Sequence, residues 1–126
     1  MIKLKRVYAP AEPSDGRRFL VDRLWPRGVR KDAADVEAWL KEAGPSDELR
    51  KWFGHDPQRW PQFRKRYLRE LSAHQDVLVP LVQAAREGDI TLVYSARDQQ
   101  HNQAVVIRGL LQELLEPASA ADTDAR

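Results

Sequence analysis

The segment formed by residues 21–28 brings an acid, two arginines and a tryptophan–proline turn together at the end of an apolar run. Its chemistry-bearing residues are Asp22, Arg23, Trp25 and Arg27. Arginine presents five donors in a planar fork that matches the oxygens of a phosphate or a carboxylate. The segment therefore predicts a place where an anion binds, although Asp22 could instead pair with a neighbouring arginine. Nothing in it dictates that a bond is made or broken.

A second segment, residues 94–102, follows another apolar run and supplies two hydroxyls, a cation, an acid and an imidazole. On a helical turn Asp98 and His101 would share a face, so the acid could orient the imidazole for proton transfer or metal binding. Asp98 could also cap the following helix and leave His101 in solvent. Covalent catalysis by Ser95 is not favoured, because no Gly-x-Ser-x-Gly turn surrounds it.

Both segments are expected at one rim of the molecule, because ligands in α/β layers lie outside the carboxyl ends of the strands. The candidate catalytic residues are Asp22, which would orient the arginines, and His101, which would supply acid/base capacity if a reaction occurs. The guanidinium groups would bind a small anion, for example one bearing a phosphate. The predicted ligand-binding residues are Arg23, Trp25, Arg27, Tyr94, Arg97, Asp98 and Asn102.

A metal site would have to collect Asp22, His55, Asp56, Asp98 and His101. No two of these residues have an established ligand spacing such as His-x-x-x-His, so no metal is predicted. The pair His55–Asp56 is better explained as the entry to a helix after a glycine stop. The sequence leaves any cofactor unknown.

A basic stretch at residues 64–69 supports an alternative function, a non-enzymatic module that binds nucleic acid or another protein. Lys65 and Arg69 share a helix face and could span phosphates. The acid Glu70 favours a solvated face instead, and three of the four tryptophans fall on amphipathic stripes. Trp25 is the exception and could form a flat binding surface. The nucleic-acid interpretation is the weaker of the two.

Composition limits the class of protein. A chain of 126 residues with a formal charge of +2 fits one domain, expected at residues 1–116, with a flexible tail at 117–126. The charge is too small to steer nucleic acid by itself. Cysteine is absent, which excludes disulfides, thiolate metal sites and cysteine nucleophiles. With no membrane span or apolar signal segment, a cytoplasmic location is expected. The oligomeric state stays open.

Apolar spacing predicts an α/β fold, a small three-layer sandwich with a short, mostly parallel sheet of about three strands flanked by helices. The unbroken run at residues 90–94 is typical of a strand covered on both faces in a parallel sheet. The relative direction of the first two strands is left open. Strands are predicted at 2–8, 19–24 and 90–94, and helices after the caps Asp32, Ser46, Asp56 and Asp76 and over about 104–114.

Several motifs closely resemble the YeaO-like bacterial family, a domain of unknown function numbered 488. They are Lys-Arg-Val-Tyr at 5–8, Val-Asp-Arg-Leu-Trp-Pro-Arg-Gly at 21–28, Trp-Leu at 39–40, Pro-Ser-Asp-Glu-Leu-Arg at 45–50, Trp-Phe-Gly-His-Asp-Pro at 52–57 and the stretch 94–102. The resemblance runs from about Lys3 to Leu115. It implies a compact α/β domain with a small, largely parallel sheet between helices, and it brings no established reaction.

The resemblance also matches individual residues of this chain to the family's motifs. Asp22, Arg23, Trp25, Pro26, Arg27 and Gly28 match the first signature, His55, Asp56 and Pro57 the middle one, and Tyr94, Asp98, His101 and Asn102 the third. The chain departs from the family pattern at Ser95, where alanine is common, and at Arg97, where lysine is common. A retained cation at Arg97 favours an anion-binding role, whereas the serine weakens any general role for a hydroxyl there.

Overall fold

A four-stranded, all-parallel sheet organises residues 1–116, the part of the chain that the computed structural model describes. The strands are β1 (Ile2–Arg6), β2 (Arg17–Leu20), β3 (Ala38–Trp39) and β4 (Ile90–Tyr94), in the order β1-β4-β2-β3. The predicted α/β class and parallel sheet are confirmed, with four strands instead of about three. Both β1 and β2 run parallel to β4, which decides their direction. The tail predicted at 117–126 lies outside the described residues.

Strand β4 is the centre of the sheet. Ile90 pairs with Ile2 of β1 on one side and with Arg17 of β2 on the other. All five β4 residues are buried, as the apolar run predicts. Because side chains alternate along a strand, Leu92 faces one layer of the molecule and Val93 the other.

Three α-helices lie between β3 and β4 along the chain, and a fourth follows β4: α1 (Asp47–Phe53), α2 (Trp60–Ala73), α3 (Val79–Glu87) and α4 (Gln103–Leu115). The Ser46 hydroxyl accepts a hydrogen bond from the amide of Leu49 and caps α1, and Gly54 ends that helix in the left-handed conformation. Both predictions are confirmed. A 3-10 turn, Pro57–Arg59, precedes α2, so the prolines of this region fall in two separate first turns. Asp76 lies inside a second 3-10 turn, Gln75–Leu78, and does not cap α3.

The two faces of the sheet are covered differently. One face packs with buried residues of all four helices: Phe19, Val21, Ile90, Leu92 and Tyr94 meet Leu49, Phe53, Phe63, Tyr67, Leu71, Leu81, Ile107 and Leu111. The other face carries a smaller cluster of Val7, Leu20 and Val93, and loop residues Trp25, Val29, Val36 and Trp39 pack against it. The loop after β2 therefore belongs to the core.

The prediction of a helix after Asp32 is wrong. The segment forms a 3-10 turn (Lys31–Ala33), the edge strand β3 and another 3-10 turn (Lys41–Ala43). The amide of Glu37 donates to the Arg18 carbonyl at 2.7 Å, and the amide of Leu40 donates to the Leu20 carbonyl at 2.8 Å. Pairing with β2 thus satisfies backbone groups that a helix would have satisfied internally, and helical apolar spacing here is coincidental.

A buried ion cluster lies against the loop-covered face. The Asp15 carboxylate is 1% exposed and accepts from Lys5 Nζ at 2.9 Å and from Arg18 Nη1 at 2.6 Å. Thr91 of β4 donates to the Asp15 carbonyl at 2.7 Å. Burial alone would raise the pKa of Asp15, but hydrogen bonds from Lys5, the Glu12 amide and Arg18 lower it to about 2.

No helix within residues 1–116 combines the length and the apolar character needed to cross a membrane.

Candidate ligand-binding site

A cavity of about 380 Å³ opens outside the carboxyl ends of β2 and β4. Strand β2 ends at Leu20, earlier than predicted, so residues 22–27 leave the sheet and form one wall. Ser95, Ala96 and residues 101–103 form the opposite wall. Helix α1 and the residues after it contribute Arg50, Phe53 and His55. The two segments singled out in the sequence therefore meet at one rim.

Asp22 is the acid of this cavity and is only 6% exposed. Gln103 Nε2, at the start of α4, donates a hydrogen bond to Asp22 Oδ1. The Trp39 indole donates to the Asp22 carbonyl at 2.7 Å and holds the backbone of this residue in place. No hydrogen bond joins Asp22 to an arginine within residues 1–116. The structure therefore contains neither the self-satisfied acid–arginine pair nor the predicted orientation of the arginines by Asp22.

Burial raises the pKa of Asp22, while hydrogen bonds from Ser95 and Gln103 and the charge of His55 act against that shift. A carboxyl whose pKa is raised in the folded state favours folding below its ordinary pKa of 3.8 and loses that contribution as pH rises. The charged form of Asp22 therefore destabilises the protein at neutral pH.

Asp22→Asn is accordingly expected to raise the melting temperature at pH 7, because the amide removes a buried charge and keeps an oxygen for Gln103. The gain over the parent protein shrinks as pH falls and is gone below the ordinary aspartate pKa of 3.8. Differential scanning calorimetry from pH 7 to pH 3.5 measures both effects. Asp32→Asn, at a side chain that is 71% exposed, is the matched control and leaves the melting curve unchanged. An Asp22→Asn melting temperature below the parent's at pH 7 contradicts the interpretation.

Arg23 lines the cavity, but its guanidinium is already bonded. Nε donates to the Pro45 carbonyl at 2.9 Å, Nη2 to the Gly44 carbonyl at 3.2 Å, and Nη1 to Glu42 at 3.1 Å. These bonds fix the loop in front of α1. Arg23 therefore positions the wall that carries Arg50 and has few donors left for a ligand.

Arg27 differs from Arg23 in that its guanidinium is not bonded within residues 1–116. It is exposed, it lines the cavity, and its guanidinium has no hydrogen bond or ion pair to residues 1–116. The Tyr8 hydroxyl donates to the Arg27 carbonyl at 2.9 Å, so the backbone is anchored while the side chain is not. Trp25 lies beside it, with its indole donating to the Val29 carbonyl at 2.6 Å and its ring edge against Trp39. The turn is rigid and offers one uncommitted cation.

The structure does not bring all the predicted site residues to the cavity. Tyr94, Arg97 and Asp98 are not among its lining residues. Arg97 is exposed on the loop after β4, whereas Tyr94 is buried at the end of that strand, and burial raises the pKa of its hydroxyl. Tyr94 thus contributes to the core beneath the rim, and the cavity is built without the guanidinium of Arg97.

His101 lines the cavity and pairs with Asp98, which is outside the lining. The Nδ1 atom of His101 lies 2.9 Å from Asp98 Oδ2, and the imidazole edge rests against Trp60 with ring centroids 5.2 Å apart. The amides of Gln100 and His101 also donate to the Asp98 carboxylate, and these bonds lower its pKa. Asp98 therefore orients an imidazole that lines the cavity.

Asn102, not Asp98, caps α4. Its Oδ1 accepts from the Val105 amide at 3.1 Å, and its Nδ2 donates to the Asp98 carbonyl at 2.8 Å. The predicted alternative, in which Asp98 caps the helix and His101 is solvated, is therefore wrong. Asn102 is 2% exposed and fixes the start of α4 at the cavity wall.

Arg50, His55 and Gln103 line the cavity although they were not among the predicted site residues. Arg50 Nε is buried and has no hydrogen-bond partner, and no other buried side-chain nitrogen or oxygen of residues 1–116 is in that position. The Nη2 atom of Arg50 donates to Asp47 Oδ1 over a long distance of 3.5 Å. His55 has a left-handed φ of +58°, a conformation that is uncommon for a residue with a side chain. Arg50 and His55 stand in the motifs at 45–50 and 52–57, whereas Gln103 stands in none.

Within residues 1–116 no three histidine, aspartate or glutamate side chains are grouped so that they could hold a metal ion. The basic face of α2 lies elsewhere. Arg66 stacks over Trp52 with its Cζ 4.4 Å from the ring centroid, and Glu70 accepts from the Ser46 amide and hydroxyl at 2.9 and 2.5 Å. Glu70 therefore supports the start of α1, while Lys65 and Arg69 remain exposed.

Comparison with known proteins identifies the family to which this chain belongs. A family model described as an inactive DUF488-N3 subclade matches residues 1–126, and the chain belongs to this DUF488 family. The uncharacterised protein YeaO of Escherichia coli K12 is 45% identical over 113 residues, which cover 90% of this chain and 98% of YeaO. The YeaO-like resemblance is thereby confirmed.

Mycobacterial relatives extend the comparison. The uncharacterised protein Rv3073c of Mycobacterium tuberculosis H37Rv is 39% identical over 110 residues, which cover 87% of this chain and 92% of the relative. The uncharacterised protein Mb3100c of Mycobacterium bovis gives the same figures. No solved structure matches the chain significantly.

Proposed function

We propose that the strand-end cavity binds a small anionic ligand, such as one bearing a phosphate, and that binding is its function. The observation that carries the proposal is the excess of cationic side chains with free donors along one cavity. The guanidinium of Arg27 has no partner within residues 1–116, and the only bond that the Arg50 guanidinium makes there is the long one of 3.5 Å to Asp47. Asp22 is the single acid among the lining residues. A cavity with this balance attracts an oxyanion.

The position of α4 adds to the attraction. Asn102 and Gln103 line the cavity, so the first turn of a 13-residue helix faces it. The amino end of a helix carries partial positive charge and free amide donors. The backbone thus supports the same anion that the arginines would bind.

Binding without turnover is the form of this function that the observations favour. The family model that matches the chain is described as inactive. His101 retains an orienting carboxylate and could move a proton, which is the feature that would support acid/base catalysis. The imidazole is also a hydrogen-bond donor to an anion, and this role requires no reaction.

The proposal is tested by titrating inorganic phosphate at low ionic strength and pH 7 into the parent protein and into single-arginine variants. Arg27→Ala and Arg50→Ala are each expected to weaken binding about tenfold or more, since a hydrogen bond to a charged group contributes about 1.5–3 kcal/mol and 1.4 kcal/mol is tenfold in affinity. Isothermal titration calorimetry provides the dissociation constants, and melting curves check that each variant is folded.

The chain offers two matched controls. Arg97→Ala removes a cation from the same rim but outside the cavity lining, and Arg69→Ala removes one from the basic face of α2. Both are expected to bind phosphate like the parent. Loss of binding in Arg69→Ala with retention in Arg27→Ala and Arg50→Ala would favour the alternative, a nucleic-acid-binding module that uses α2.

A further inference from the structure

We infer that the ligand of this cavity joins its acidic group to a flat ring bearing N–H donors, and that Asp22 binds those donors. The inference rests on the proposed function, because it concerns the same cavity. It goes further by naming the chemistry of the part of the ligand that Asp22 would contact.

The first argument is the placement of charge. Asp22 lines the same cavity as Arg27 and Arg50, and the hydrogen-bond donor to its carboxylate is the neutral amide of Gln103. No arginine or lysine within residues 1–116 forms an ion pair with it. A simple anion would gain from the arginines and would be repelled by the buried carboxylate. A ligand that carries both an acidic group and N–H donors is complementary to both.

The second argument is the shape and chemistry of the walls. Four residues with aromatic or imidazole rings are among those that line the cavity: Trp25, Phe53, His55 and His101. Phe53 is fixed by stacking on Phe63 with centroids 4.3 Å apart, while Asp98 and Trp60 fix the His101 ring. Rings held in this way favour stacking against a flat partner. Inorganic phosphate would leave these walls unused.

The third argument is size and fit. The volume of about 380 Å³ is within the range of roughly 300–1,000 Å³ that small-molecule pockets have. A carboxylate accepts two parallel N–H bonds from a planar group with adjacent donors. Guanine presents such a pair of donors on its ring edge, and its monophosphate adds the acidic group. A purine nucleoside monophosphate therefore represents the ligand class, with guanosine 5′-monophosphate as the test compound.

The experiment compares guanosine 5′-monophosphate with ribose 5-phosphate, which keeps the sugar phosphate and lacks the ring. Calorimetric titrations use the full chain as parent, Asp22→Asn, Arg27→Ala and the control Asp32→Asn. The parent is expected to bind the nucleotide at least about tenfold more tightly than ribose 5-phosphate. Arg27→Ala weakens both compounds, and Asp32→Asn changes neither.

The decisive result is the sign of the Asp22→Asn effect. The variant is expected to bind guanosine 5′-monophosphate about tenfold more weakly, because an acceptor pair is lost, and ribose 5-phosphate more tightly, because repulsion is removed. A change in the same direction for both compounds overturns the inference, as does equal binding of both by the parent. If the parent binds these compounds equally and Arg27→Ala still weakens them, the proposed anion-binding function stands and only the ligand class is wrong. If the parent binds neither compound nor inorganic phosphate, the proposed function itself fails.

Discussion

Replacing Asp15 with alanine is expected to lower the free energy of unfolding by roughly 3–5 kcal/mol, the usual cost of removing one partner from a buried ion pair. The carboxylate is 1% exposed and accepts hydrogen bonds from both Lys5 and Arg18. Without this carboxylate, the cations of Lys5 and Arg18 face each other on the loop-covered face of the sheet. Urea denaturation at pH 7 measures the loss, which would be a large part of the stability of a domain of this size.

Acid titration provides an independent reading of the same group. The pKa of Asp15 is lowered to about 2 from its ordinary 3.8, so its contribution to stability is complete above pH 3.8 and is lost as pH falls through about 2. The parent protein should therefore lose stability over this window, and Asp15→Ala should show a flatter profile there. Asp32→Ala is the control, because its ion pair with Arg30 has side chains that are 71% and 83% exposed. Equal stability losses in the two variants would refute a special role for Asp15.

Gly16→Ala is expected to be the second most damaging substitution, with a loss of roughly 3–5 kcal/mol from backbone strain and overpacking together. Gly16 has a φ of +67°, and a Cβ there would lie 2.2 Å from the carbonyl oxygen of Asp89. That oxygen accepts the Arg17 amide at 3.1 Å, where β2 begins beside β4. The clash would therefore separate two strands of the sheet.

Gly28→Ala separates strain from crowding. Its φ is +74°, close to that of Gly16, but a Cβ at Gly28 meets nothing within 4 Å. The expected loss is about 1–2 kcal/mol, the cost of the left-handed region alone. Thermal or urea unfolding of the two variants side by side gives the difference. If Gly28→Ala is as destabilising as Gly16→Ala, crowding against Asp89 is not the cause.

Local signals decided which elements sequence reasoning could predict. Strand β4 has an unbroken apolar run, and α1 has Ser46 at one end and Gly54 at the other, so each is specified by residues within itself. Strand β3 is two residues long and exists only because Ala38 and Trp39 pair with Phe19 and Leu20. No pattern inside 32–43 reveals a partner twenty residues away, and the spacing of Val36, Trp39 and Leu40 fits a helix equally well.

Sequence reasoning could likewise predict some features of the candidate site and not others. The rim position of Asp22 and His101 follows from strand ends, which are visible as the points where apolar runs stop. The state of each arginine is not visible, because it depends on acceptors brought by the fold. Arg23 donates to carbonyls of 44 and 45, whereas Arg27, four residues on, has no partner within residues 1–116. Arg50 reaches the cavity only because α1 is docked beside it.

The central position of β4 in the sheet has a consequence for folding while the protein is being synthesised. Strand β1 pairs with β4 alone, and β4 also separates β1 from β2, although it is the last of the four strands to be synthesised. A nascent chain that has emerged only to residue 89 has no central strand on which to assemble, and its apolar side chains stay open to other molecules. Pairings this distant along a chain form slowly. We therefore expect the ribosome-bound chain that still lacks β4 to be more prone to aggregation than the finished protein.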